Sequence, residues 1–145
     1  LSKSKTHITI ATFRMNAKHQ EVLLKVFNQL SSIEKFRLQI TGFGIFERNS
    51  NALHLKVSKT KDMEKLHKGV QDLYKEHLGG KLKSFTTSNV PHITISKTTG
   101  TKMLHKSLAH FQKIGYSKEI EVSHLVLVSR SKYKSWDWEH RIPLS

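Results

Sequence analysis

The tetrapeptide His-Ile-Thr-Ile occurs twice in this 145-residue chain, at 7–10 and at 92–95. Each copy alternates polar and β-branched apolar residues with the period of two that an extended strand imposes. His7 and Thr9 therefore share one strand face, and Ile8 and Ile10 turn to the opposite, core side. His92 and Thr94 repeat the arrangement. Laid side by side, two such strands converge two imidazoles and two hydroxyls on one groove. The copies stand 85 residues apart, so that convergence depends on a β-containing fold that sets the two strands side by side.

The rest of the pattern fills in around these strands. Residues 6–12 read as the first strand. Asn16 is suited to cap a helix over about 17–31, with Leu23, Phe27 and Leu30 on one face. Strands follow at Phe36 to Arg48 and Ala52 to Val57, with Asn49-Ser50-Asn51 as a hairpin turn. Met63, Leu66, Val70, Leu73 and Tyr74 recur at helical spacing, and Gly79-Gly80 ends that helix. Pro91 introduces the second motif strand at 92–96. A third amphipathic helix carries Leu104, Leu108 and Phe111. Two strands, about 119–129 and 136–144, close the chain through a Ser/Lys/Tyr turn. The order β-α-β-β-α-β-α-β-β predicts one α+β domain over 1–145, with mostly antiparallel sheet.

Composition narrows the function. Without cysteine there is no disulfide, zinc-thiolate site or thiol nucleophile. That fits a reducing compartment, and with no signal-like start or long apolar run the expectation is a cytoplasmic protein without membrane association. Lys plus Arg is 25 against 11 Asp plus Glu, a net +14. Such an excess favours polyanions, because phosphate contacts release counterions. RNA, an oligonucleotide or a nucleotide is the expected partner. The basic residues are dispersed, so charge alone does not locate the site.

Two imidazoles and two hydroxyls suit transesterification or hydrolysis at a phosphodiester. An unperturbed imidazole titrates near ~6.5, so one of a pair can be neutral and the other charged near neutrality. The neutral one takes a proton from a ribose hydroxyl or water, and the charged one protonates the departing oxygen. Each transfer contributes about 10²–10⁴-fold in rate. Thr9 and Thr94 would hold the non-bridging oxygens. No metal or other cofactor is required. A four-residue repeat can also be accidental, and a strand histidine is often merely structural.

Paired H-x-T-x segments some 80–90 residues apart resemble those of the two-histidine (2H) phosphoesterase superfamily, which includes 2'-5' RNA ligase-like proteins and cyclic phosphodiesterases. His7, Thr9, His92 and Thr94 stand at the positions of its catalytic tetrad. The C-terminal segment is similar too, with Ser129-Arg130, Trp136 and Pro143-Leu144 in the places of the family's closing hairpin. The resemblance implies two small, mostly antiparallel sheets in a pseudo-twofold arrangement, flanked by helices, with the H-x-T-x strands lining a central groove. Members usually carry a strand and a helix before the first motif, whereas six residues precede His7 here. The expectation is a domain lacking that strand and helix, either because the chain is trimmed or with another segment or subunit filling the exposed edge.

Further substrate contacts are expected from Arg130, whose guanidinium forks onto phosphate, from Lys97 beside the second motif, and from Tyr133 and Trp136 as base-stacking rings. Phe43 and Phe46 could stack as well, although core packing is the better reading for both. His105 and His110 are spaced i, i+5 and do not match a zinc-binding helix. His19, His54, His67, His77, His124 and His140 form no pattern. The Gly-Phe-Gly at 42–44 lacks the spacing of a phosphate loop. The expectation is an enzyme cleaving 2',3'-cyclic or 2',5'-linked phosphodiesters, or running in reverse as a 2'-5' RNA ligase. The rival is a nucleotide- or RNA-binding module that uses the same groove without turnover.

Overall fold

A computed structural model describes residues 7–47, 52–88, 90–97, 100–130 and 138–145, with only the backbone of residues 96 and 97. Asn16 opens the first helical region, its side chain accepting from the Lys18 amide at 3.0 Å. That region is an α-helix, α1 (Gln20–Phe27), between two 3₁₀ turns, and it buries Leu23, Val26, Phe27 and Leu30. Helix α2 (Lys61–Leu73) starts at Thr60, whose hydroxyl accepts from the Met63 amide at 3.2 Å. Asp62 and Glu64 sit in its first turn, where the helix dipole favours negative charge. Met63, Leu66 and Val70 form its buried stripe, and a π-helical turn carries it to Leu78, before Gly79-Gly80. Helix α3 (Thr101–Ile114) buries Leu104 and sets Phe111 against Phe43, ring centroids 5.3 Å apart.

Eight strands form three antiparallel sheets among the described residues. Strand β1 (Ala11–Met15) pairs with β4 (Leu82–Thr87). A four-stranded sheet runs β5 (His92–Lys97), β3 (Ala52–Val57), β2 (Phe36–Phe46), β6 (Lys118–Val122). Strand β7 (His124–Ser129) pairs with β8 (Trp138–Pro143). The α+β antiparallel expectation stands. Strand β4 was not anticipated, because Leu-Lys-Ser-Phe-Thr-Thr alternates poorly. The stretch anticipated as one strand over 119–129 divides at Ser123, so β6 joins the large sheet and β7 the terminal hairpin. The turn at 49–51 lies outside the described residues.

One core joins the layers. Phe36, Leu38 and Ile40 of β2, the buried stripes of α1 and α2, Leu78, Leu82, Ile93, Ile142 and Leu144 pack together. Burying one such side chain contributes about 1.5–3 kcal/mol. The C-terminus is tied in by backbone hydrogen bonds from Ser145 N to Ile33 O and from Lys35 N to Ser145 O, each 2.9 Å. Among the described residues, no helix is long and apolar enough to cross a membrane.

Candidate active site

The second motif sits where it was expected, in β5. Residues directly opposite in an antiparallel pair share a face, and Leu55↔Ile93, His54↔Thr94 and Lys56↔His92 are such pairs. Ile93 and Leu55 face the core. His92, Thr94, His54 and Lys56 fall on the other face. There Phe46 of β2 completes an aromatic cluster, its ring 4.2 Å from His54, stacked, and 4.7 Å from His92, edge-on. The His54 and His92 rings are 5.3 Å apart. Ile95, by contrast, is 42% exposed: the register of β3 on β5 shifts between His54↔Thr94 and Leu53↔Ser96, which leaves Ile95 as the extra residue of a bulge.

His92 is held in one tautomer. Its Nδ1 lies 2.8 Å from the Val90 carbonyl oxygen. A carbonyl can only accept, so Nδ1 carries the hydrogen and, in the neutral ring, Nε2 keeps the lone pair. His54 behaves differently. It is 4% exposed, and its Nδ1 has no hydrogen-bond partner among the described residues. Burial, then the neighbouring His92 and Lys56, pushes its imidazole down to about 4. His54 is therefore neutral beside His92 across the neutral range. The sequence contained no pattern that singled it out. The weak signal was the alternation of β3, which puts positions 52, 54 and 56 on one face. Phe46, read from sequence as ordinary core, belongs to this cluster instead, while Phe43 packs on Phe111 and Tyr116.

The first motif departs from expectation locally. Residues 7–10 form no strand; the ladder begins at Ala11, and Ser88 N donating to Ile10 O at 2.9 Å is its outermost bond. Ile8 and Ile10 pack on the core as anticipated. His7 and Thr9 line a cleft of about 900 Å³ with His124, Arg130, Glu139 and Arg141 on its polar side. Arg130, expected as a substrate contact, thus shares a cleft with the first motif. Ile93 reaches the same cleft, but His92 and Thr94 are not among its lining residues. The four motif residues are presented in two halves, one on the cleft and one on the polar face of β5. Tyr133 and Trp136 lie outside the described residues, as does the side chain of Lys97. His105, doubted as a metal ligand, pairs with Glu47.

A family profile described as the 2'-5' RNA ligase superfamily matches residues 1–134. The chain belongs to that superfamily, the 2H phosphoesterases. The match contains both motifs and Arg130, and it stops short of Trp136 and Pro143-Leu144. No curated protein matches the chain. Membership supports a 2H phosphoesterase or RNA-ligase-like activity in general.

Proposed function

We propose that the chain is a metal-independent phosphodiesterase for RNA-type phosphodiesters, either 2',3'-cyclic phosphates or 2',5' linkages. His7 and His92 act as the general acid–base pair. One neutral imidazole removes the proton from the attacking water or ribose hydroxyl as its oxygen bonds to phosphorus. The other, protonated, delivers its proton to the leaving oxygen as that bond breaks. Run backwards, the same two transfers join RNA ends. For His92 the working atom is Nε2, since Nδ1 is engaged with Val90. The Thr9 and Thr94 hydroxyls donate to the non-bridging oxygens, and Arg130 binds the phosphate.

The observation that carries this reading is the superfamily match spanning all four residues, supported by the fixed His92 tautomer. The test is turnover of 2',5'-linked oligoadenylate and of a nucleoside 2',3'-cyclic phosphate in EDTA. Parent, His7→Ala and His92→Ala are run side by side. EDTA-resistant turnover lost in both variants is the expected result. Full activity in either folded variant would sink the mechanism. Nucleotide binding without turnover in the parent would select a non-catalytic RNA-binding module.

A further inference from the structure

Three of the dispersed lysines and one arginine are brought together by the fold at one place away from both motif halves. A pocket of about 430 Å³ at the far end of β1 and β4 is lined by Arg14, Lys18, Lys81 and Lys83, with His19 and Asn16. Among the described residues, no carboxylate lines it. None of the four cations has an ion-pair partner among the described residues, whereas Arg37 pairs with Glu119 and Lys68 with Asp72.

The ladder itself is built against its own electrostatics here. Arg14 and Lys83 are directly opposite each other across β1 and β4. Like charges in that position destabilise a sheet. Two residues back along β1 and three on along β4, the same pair of strands places Thr12 opposite Thr86, hydroxyls 3.0 Å apart. Between the two pairs the register shifts, and Ser84 takes a left-handed φ of 54°. A bulge of this kind re-aims side chains, and this one sets Lys83 against Arg14. A bound polyanion would turn that repulsion into attraction.

We propose that this pocket is a second binding site, for backbone phosphates of a single-stranded RNA. The anion site stands on the geometry above; its assignment to RNA rests on the proposed function. Arg14 lies seven residues beyond His7, at most ~25 Å of extended chain, so one oligonucleotide can touch both. A mononucleotide in the cleft does not need the pocket.

The test uses the full chain and a variant combining Arg14→Gln, Lys18→Gln, Lys81→Gln and Lys83→Gln. Binding of a labelled single-stranded oligoribonucleotide is followed by anisotropy across a salt series. Each lost phosphate contact lowers the slope of log K against log salt by about 0.7. A flatter slope and at least a tenfold weaker affinity are expected, with turnover of a nucleoside 2',3'-cyclic phosphate retained. An unchanged slope in a variant that melts like the parent would overturn the proposal. So would equal loss of cyclic-phosphate turnover, which would put these residues at the catalytic centre. Variant-sensitive binding of inorganic polyphosphate without any RNA binding would overturn the RNA assignment. If the parent turns over no small substrate, the proposed function fails, and the slope comparison still decides this one.

Discussion

A Cβ at position 44 would stand 2.8 Å from Nε2 of His54. Gly44 and His54 are cross-strand partners in β2 and β3, and the buried imidazole occupies the space that any other residue at 44 would need. The neighbouring ring is stacked and enclosed, so it has little room to yield. Gly44→Ala should therefore destabilise the fold by about 1–3 kcal/mol. Urea denaturation of Gly44→Ala, His54→Ala and the double variant checks this. The double variant should be more stable than the sum of the single losses predicts. Additive losses would show that the two side chains do not compete for one space.

His54 should also make stability depend on pH. The unfolded chain binds this proton near pH ~6.5 and the folded one only near 4. The contribution is complete above pH ~6.5, and stability falls as pH drops from there towards about 4. Below that value both states are protonated and the dependence ends. His54→Phe, which keeps a flat ring on Phe46, should flatten the change in denaturation midpoint over this window. A profile identical to that of the parent would remove His54 as the cause. His67, also lowered by burial, adds a slope of the same sign and stays in both proteins.

Thr94 faces the same side of β5 as His92, and the proposed chemistry gives it a non-bridging oxygen to bind. Thr94→Val keeps the branched shape and removes the hydroxyl. Turnover should fall about 10²–10³-fold with an unchanged melting midpoint, because residue 94 is exposed. Equal kcat in steady-state assays would exclude that role.

The cap and the stripe of α2 should separate in magnitude. Thr60→Ala removes the acceptor for the Met63 amide and should cost about 1 kcal/mol. Leu66→Ala opens a cavity where the side chain is 1% exposed and should cost about 2–5 kcal/mol. Chemical denaturation that ranks them the other way round would contradict the packing described for this helix.

Much of this was decided locally and could be read along the chain. Asn16 carries the oxygen that an unpaired helix amide needs, and the Met63, Leu66 and Val70 spacing gives a helix only one way to hide its apolar side. The two His-Ile-Thr-Ile copies, with the similar C-terminal segment, carried the resemblance to the superfamily that the family match bears out, since residue types at a set spacing need no coordinates to be seen. Pairing was decided elsewhere. His54 meets Thr94 from 40 positions away in the sequence, and nothing local in Leu-His-Leu distinguishes a buried ring from a solvated one. Only the register of β3 on β5, with Phe46 brought over from β2, makes His54 a neighbour of His92 and denies it a proton. The register of β1 on β4 likewise set Arg14 against Lys83. Charge and alternation belong to the chain, but which charges face one another is a property of strand pairing, fixed by the packing of the whole core.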